Sequence, residues 1–280
     1  MAPQRPVPLR AKPARRLDTV TGSGLWARWK DWRDTRTLTR RAIPDPLWRA
    51  TLLSYPFLAQ RSAADVQVLR ELTTLFLADK EFTGAQGLQV SDEMAVAIAA
   101  QACLPVLRLG LHWYDGFKGI VVHADAVVAQ REVMDEDGVV HHYDETLSGE
   151  AMQGGPVMLS WFDVAEAGSS AEWGYNVVIH EFAHVLDVRD ASAPALPDRT
   201  SRERWLKVLA EEFEQFCTRV DGGEDTRLDP YGAEAIDEFF AVTAEVFFVA
   251  PDDLAREHPR VYTLLKDFFR QDPVADRRPA

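Results

Sequence analysis

The segment at residues 177–187 carries two histidines and a glutamate at the spacing of metal ligands. It reads Val-Val-Ile-His-Glu-Phe-Ala-His-Val-Leu-Asp, so that His180 and His184 are four residues apart and Glu181 follows the first. On a helix, residues four apart share a face, and both imidazoles can therefore reach one Zn²⁺ ion. Glu181 is placed to act as general base toward a water molecule at that ion. The apolar residues around the motif indicate a half-buried helix, which favours a metal site over two surface histidines.

A catalytic zinc site needs a third protein ligand. The motif is not the HExxHxxGxxH of the three-histidine class, and a later apolar segment offers Glu234, Glu238 and Glu245 instead. Glu238 and Glu245 share a helix face but lie about 10.5 Å apart along its axis, so only one of them can bind the ion directly. The other then supports the site or is structural. Tyr231 lies two turns before Glu238, where its phenol would reach a developing oxyanion.

His141 and His142 allow two interpretations. Both follow a predicted turn at residues 135–138, and one interpretation makes them exposed loop histidines. In the other, His141 swings in as a fourth zinc ligand in place of the catalytic water. Such a site inhibits itself until the loop moves.

The elements that must position these residues are read from apolar periodicity and from Gly, Pro and capping residues. Helices are separated by a small β region, which predicts an α+β fold with one main domain. Residues 165–174 look like a loop. The predicted helices and strands are a helix from Ser62, a helix from the Ser91 cap to Cys103, strands at 119–133 and 156–161, and helices at 175–187, 201–220, 229–249 and 251–270.

Substrate recognition is predicted from the second strand and from charge. Residues 156–161 are expected to form an edge strand that pairs with an extended peptide substrate. The 280 residues carry a net charge of −13, with 31 basic and 44 acidic side chains. This balance disfavours nucleic acid and anionic membrane surfaces as partners. It favours cationic peptides or a free α-amino group.

Charge also divides the chain. Residues 1–50 hold twelve Lys/Arg and four Asp/Glu, whereas the rest is strongly acidic. We therefore predict a basic, Pro/Arg/Trp-rich extension at 1–50 that is partly disordered, a catalytic domain at 51–270 and a frayed tail at 271–280. Two isolated cysteines and the lack of a long apolar run predict a cytoplasmic location.

The ordered set of motifs resembles the Mlc titration factor A family of bacterial zinc-dependent peptidases. The motifs are His-Glu-Phe-Ala-His-Val-Leu-Asp at 180–187, Tyr-Gly-x5-Glu-Phe-Phe-Ala at 231–241, and matching segments at 76–82, 147–151 and 155–161. The zinc domain of anthrax lethal factor has a similar Tyr-to-Glu spacing. The resemblance covers about residues 55–270.

This resemblance implies a mostly helical, gluzincin-like metallopeptidase domain with a small β-sheet. It implies one Zn²⁺ bound by His180, His184 and Glu238, with Glu181 as base and Tyr231 stabilising the tetrahedral intermediate. It also favours His141 over His142 as the extra ligand. Family members are described as peptidases, notably aminopeptidases, and the founding protein binds the glucose-uptake repressor Mlc.

Two functions follow from the resemblance. One is a peptidase, and the other is a regulatory protein that binds a transcriptional repressor and keeps its zinc site for structure or partner recognition. The intact Glu181 favours the enzyme, because a purely structural site does not need a base.

Overall fold

Most of the described chain is helical. The structure, a computed structural model, describes residues 33–125, 127–134, 140–147, 149–151, 155–189 and 199–277. For 127–134, 140–147, 149–151, 172, 188–189 and 199–201 it describes the backbone alone. The chain divides into two compact units, Met1–Arg36 and Thr37–Ala280. Within the first unit, residues 33–36 are helical.

The helices cluster before and after the β region. In chain order they are α1 (residues 33–40), α2 (Asp45–Ser54), α3 (Pro56–Ala59), α4 (Ala63–Asp79), α5 (Asp92–Cys103), α6 (Trp161–Ser170), α7 (Val177–Arg189), α8 (Arg199–Asp221), α9 (Ile236–Val249), α10 (Pro251–Glu257), α11 (Pro259–Phe269) and α12 (Pro273–Asp276). The described helices are too short or too polar to cross a membrane. The predicted α+β class, mostly helical with a small sheet, is confirmed.

Within the described residues, the main sheet has four strands, and a separate pair of strands is antiparallel. The strands are β1 (Glu81–Gly84), β2 (Gly119–His123), β3 (Val127–Met134), β4 (Val140–Leu147), β5 (Gly149–Ala151) and β6 (Val157–Ser160). The order in the sheet is β1-β2-β6-β5, with β5 antiparallel to β6 and the other neighbours parallel. Because β6 has a neighbour on each side, the prediction of an edge strand at 156–161 is wrong.

Serine caps begin both α4 and α5, and the sequence predicts the cap of α5. The side chain of Ser91 accepts the N–H of Met94 at the start of α5, and Ser62 does the same for Asp65 at the start of α4. Each cap satisfies a backbone donor that the first turn leaves without a helical partner.

The predicted loop at 165–174 is wrong, because α6 continues to Ser170. Gly168, which looks like a helix breaker, lies inside α6 at a close approach to another backbone. A Cβ built at Gly168 would lie 1.9 Å from the carbonyl oxygen of Ser54. The glycine therefore permits packing of α6 against the end of α2 and does not end the helix.

The predicted helix from residue 229 to 249 is also divided. Asp229 accepts the N–H of Tyr231 as expected of a cap, but it begins a 3₁₀ turn at Pro230–Ala233. Ala235 is extended (φ −154°, ψ 160°), and α9 starts only at Ile236. Tyr231 and Glu238 are therefore on different elements, and the prediction that one helix carries both, with Tyr231 two turns before Glu238, is wrong.

The motif helix α7 is embedded in the core. Phe182 on α7 is fully buried and its ring meets those of Phe76, Tyr114 and Phe117 at centroid distances of 5.8, 5.0 and 5.8 Å. The motif helix α7 also packs against α9, whose described side chains from Phe239 onward are buried. Aromatic packing thus holds α7 in place and leaves its histidine face toward α9.

Candidate metal centre

The packing of α7 against α9 brings three predicted ligands together. The Nε2 atoms of His180 and His184 are 3.2 Å apart, and Glu238 Oε2 lies 3.1 Å from the first and 3.2 Å from the second. The side chains of the three residues are 12–19% exposed. Among the described residues, these three make the group of histidine and acidic side chains that is close enough to share a metal ion.

The dimensions of this group fit a zinc ion. Ligand atoms around a tetrahedral Zn²⁺, with bonds of about 2.0–2.1 Å, stand roughly 3.3 Å apart. The three observed distances of 3.1–3.2 Å form a nearly equilateral triangle of that size. Two imidazoles and one carboxylate, with a fourth position open, are also the donor set of catalytic zinc sites.

His180 is contacted at both ring nitrogens by carboxylates of α9. Its Nδ1 lies 2.7 Å from Glu245 Oε1, on the opposite side of the ring from Glu238. Since a carboxylate can only accept, Nδ1–H is the donor, and in the neutral ring Nε2 then carries the lone pair. Glu245 is 3% exposed and fixes the tautomer that a metal ligand requires.

The charges of the metal-free site are strongly coupled. Burial disfavours the charged form of His180, but the carboxylates of Glu245 and Glu238 outweigh it and raise the pKa of His180 well above its ordinary value. Burial opposes ionisation of Glu238 too, yet hydrogen bonds from His180 and His184 lower its pKa to about 2. The site is therefore a preformed arrangement of negative oxygen around imidazole nitrogen, which suits a cation.

Glu181 is buried beside the histidines. It is 5% exposed, and burial raises its pKa to about 7 against the opposing charges of His180 and His184. A carboxyl group with a pKa near neutrality can both take and return a proton under physiological conditions.

Tyr231 reaches the site from the 3₁₀ turn that precedes α9. Its ring centroid lies 6.1 Å from that of His180, and its side chain is 37% exposed. Glu234, the other sequence candidate on this segment, is exposed and lies outside the group of ligand atoms. The break at Ala235 thus separates the tyrosine from α9 without removing it from the site.

His141 lies in β4, paired with Val133 of β3, so its backbone is strand and not loop. Its side chain and that of His142 lie outside the described part of the structure, as does the predicted turn at 135–138. The fourth-ligand role of His141 stays a prediction.

Sequence reasoning missed Asn176, which supports the motif helix at its start. Its Oδ1 accepts the N–H of Ile179, and its own backbone N–H donates to Glu245 Oε2 at 2.5 Å. An asparagine directly before an apolar helical run is a recognisable cap signal. Its contact with Glu245 spans 69 residues and has no local signal.

A family model and several known proteins match this chain over most of its length. The model of the glucose-regulated metallo-peptidase M90 family matches residues 29–270. An uncharacterized protein of Synechocystis sp. is 36% identical over 88% of this chain and 90% of its own length. The Mlc titration factor A of Klebsiella pneumoniae is 34% identical over 81% of this chain and 86% of its own. That of Escherichia coli O127:H6 is 32% identical over 87% and 91%, respectively.

Proposed function

The chain belongs to the glucose-regulated metallo-peptidase M90 family, and from this premise we propose that it hydrolyses peptide bonds at a zinc centre of the gluzincin type. The metal ligands are His180, His184 and Glu238. The observation that carries the proposal is the triangle of their three ligand atoms, with sides of 3.1–3.2 Å. One Zn²⁺ per chain fits this donor set.

When bound, zinc supplies a Lewis acid that polarises the peptide carbonyl and acidifies a water molecule. Glu181 takes the proton of the attacking water and returns it to the leaving amine. Its burial suits this role, because burial raises the pKa of this carboxyl group in the metal-free site and so makes it a stronger base than an exposed glutamate. Tyr231 donates its phenolic hydrogen to the oxygen that becomes negative as the carbonyl is attacked.

The substrate is a peptide, and we propose preference for a free N-terminus. The support is charge: the protein has a net charge of −13, which favours a cationic α-amino group. Paired fluorogenic peptides, identical except for a free or acetylated N-terminus, test this preference. Faster cleavage of the free form is expected, and equal or faster cleavage of the acetylated form contradicts the aminopeptidase assignment. We also propose a cytoplasmic location, since Cys103 and Cys217 form no disulfide.

Glu181→Gln tests the peptidase proposal directly. The amide keeps the size of the side chain but cannot take a proton, so zinc content stays at one per chain while hydrolysis falls at least about 100-fold. Metal analysis and a fluorogenic peptide assay measure the two quantities. Glu214→Gln makes the same chemical change at an exposed position of α8 and serves as the control with full activity. Undiminished hydrolysis by Glu181→Gln, or wild-type protein without stoichiometric metal, overturns the proposal.

His141 enters the proposal as a fourth ligand of the resting site. Replacement by alanine then opens the fourth position and raises peptidase activity. His142→Ala is the matched control, because it makes the same substitution at the adjacent residue. If activity is the same in His141→Ala and His142→Ala, the self-inhibited site is excluded.

A regulatory role is the second candidate. Relatives of this chain carry the name Mlc titration factor A, and that name favours a transcriptional repressor as a partner here as well. The Glu181→Gln variant separates the two roles. If it binds a purified Mlc-type repressor with the same affinity as wild type while hydrolysis is lost, binding does not depend on catalysis. Absence of binding by the wild-type protein rejects the regulatory role.

A further inference from the structure

A buried polar chain leads from α5 to the metal centre. Gln101 and Asn176 are both fully buried, and Asn176 Nδ2 donates to Gln101 Oε1 at 2.7 Å. Gln101 Nε2 in turn donates to the carbonyl oxygen of Ala97 at 3.2 Å. The chain then continues through the backbone N–H of Asn176 to Glu245, and from Glu245 to His180.

The direction of the side-chain amide hydrogen bonds in this chain is determined by the backbone groups at its two ends, the carbonyl of Ala97 and the N–H of Ile179. The Ala97 carbonyl can only accept, so the NH₂ group of Gln101 faces it and Oε1 faces Asn176. Asn176 must therefore present its NH₂ group to Gln101, which leaves Oδ1 for the N–H of Ile179 at 2.9 Å. The orientation of the Gln101 amide thus selects the orientation in which Asn176 caps α7.

The cap in turn orients Glu245. With Asn176 held at the start of α7, its N–H meets Oε2 of Glu245, and the remaining oxygen, Oε1, accepts Nδ1–H of His180. Both oxygens of this buried carboxylate are therefore used. A rotation of the carboxylate would break both bonds, and an unmade hydrogen bond is costly for a group that is 3% exposed.

We propose that Gln101 and Asn176 are positioning residues for the metal centre, acting through Glu245 to hold His180 with its Nε2 lone pair directed at Glu238 and His184. These hydrogen bonds join three elements: α5, the start of α7, and α9. The inference rests on the proposed zinc centre and adds to it two residues that do not touch the ligand atoms. It also explains why a glutamine and an asparagine occupy fully buried positions where apolar side chains would pack without a desolvation penalty.

Zinc affinity of the folded protein is the test. Gln101→Met keeps the length of the side chain but removes the acceptor of Asn176. Asn176→Ser keeps an oxygen that caps α7 but removes the amide that meets Gln101. We expect each variant to bind Zn²⁺ about tenfold more weakly than wild type, measured by competition with a chromophoric chelator. Because both variants break the same chain, the double variant is expected to lose little more than either single one.

Thr243→Val is the matched control. Thr243 is fully buried, and its hydroxyl donates to the carbonyl of Phe240. It lies two residues from Glu245, about 200° around α9 and away from the chain. This variant also loses a buried hydrogen bond, yet its zinc affinity is expected to equal that of wild type. Circular dichroism at the assay temperature verifies that every variant is folded.

The outcomes separate this inference from the proposed function. If wild type binds zinc and both Gln101→Met and Asn176→Ser bind it within about twofold of wild type, the positioning role is overturned and the peptidase proposal stands. The same holds if Thr243→Val weakens zinc binding equally. If the variants lose affinity but wild type cleaves no peptide, the peptidase proposal fails and the positioning role stands. Wild-type protein that binds no zinc overturns both.

Discussion

At the residue scale, the imidazole of His180 is contacted from both sides by one helix. Glu238 approaches Nε2 and Glu245 approaches Nδ1, at 3.1 and 2.7 Å. In the metal-free protein these two carboxylates stabilise a proton on the ring. A metal ion at Nε2 has to displace that proton, so metal binding and proton release are linked.

This linkage predicts that zinc binds more tightly as pH rises. The pKa of His180 in the metal-free site lies well above its ordinary value because of Glu245 and Glu238, although burial opposes it. The raised pKa favours the protonated ring in the metal-free site, and zinc must displace that proton, so zinc affinity falls as pH is lowered. Isothermal titration calorimetry in buffers of different ionisation enthalpy measures the released protons, and we expect at least one per zinc. Binding heats that are independent of the buffer would contradict this account.

Tyr231 gives a second prediction at this scale. Tyr231→Phe keeps the ring beside His180 but removes the hydroxyl that stabilises the oxyanion. Loss of one such donor lowers kcat about 100-fold, with a small change in KM, because the interaction exists only in the transition state. Steady-state kinetics on a fluorogenic peptide measures both constants. An equal zinc content is the control, and an unchanged kcat removes Tyr231 from the mechanism.

Residue spacing predicted one part of this site well and another part poorly. His180, Glu181 and His184 are local on α7, so helical geometry alone places them. The choice between Glu238 and Glu245 depends on how α9 is rotated and where it starts, and α9 begins seven residues later than predicted. Gln101 and Asn176 are 75 residues apart in sequence, a separation that no periodicity can bridge.

At the element scale, the short connection before α7 is packed tightly against α9. Gly174 has φ +85°, and a Cβ built on it would lie 2.8 Å from Val246 Cγ2. The glycine therefore serves two purposes, since it adopts a left-handed conformation and leaves room for the neighbouring helix. This packing holds Asn176, two residues later, against Glu245.

We predict that Gly174→Ala lowers the free energy of unfolding by more than the cost of an alanine in a left-handed backbone conformation. Gly87 has nearly the same φ, +86°, but a Cβ there would meet nothing within 4 Å. Gly87→Ala therefore measures the conformational cost alone, about 1 kcal/mol. We expect Gly174→Ala to lose about 1–3 kcal/mol more, the range for overpacking, by urea unfolding. Val246→Ala in the Gly174→Ala background restores part of the loss; equal losses for the two glycine variants would remove steric contact as the cause.

Elements with strong local signals were predicted closely, and elements set by long-range contacts were not. The Ser91 cap and Pro105 delimit α5, which ends at Cys103 as expected. By contrast, the sequence predicts a loop at 165–174 where α6 continues to Ser170, and the carbonyl of Ser54 that Gly168 approaches is more than 100 residues away in sequence. Strand order is a property of the assembled sheet, and this is why β6 was mistaken for an edge.

At the scale of the whole molecule, the two units have opposite charge. Residues 1–36 carry nine Lys/Arg and three Asp/Glu in a protein whose net charge is −13. The buried apolar residues of the described chain run from Ile43 to Phe269 and thus belong to the second unit, Thr37–Ala280. The ligand atoms of the metal centre belong to it as well.

We therefore predict that protein lacking residues 1–36 folds and binds zinc as the full chain does. No buried apolar residue of the described core is removed by this deletion. Thermal unfolding with and without zinc compares the two proteins, and the expected shift in Tm is within about 2 °C, less than a single 1 kcal/mol substitution produces in a domain of this size. A deletion of residues 1–54, which also removes Trp48 and the rest of α2, is the destabilised control. Unfolding of the shorter deletion would show that the first unit contributes to the core.

The two carboxylates that contact His180 belong to one helix, and this has an evolutionary consequence. Glu238 and Glu245 are separated by two helical turns, so inserting or deleting one residue between them rotates one carboxylate by about 100° away from the ring. The six residues between them can be substituted if neighbouring residues compensate for the change in size, because a core tolerates substitution when total volume is kept. Their number cannot change. We expect homologous sequences to vary in composition between these glutamates while keeping the length constant, so that this segment aligns without gaps across the family.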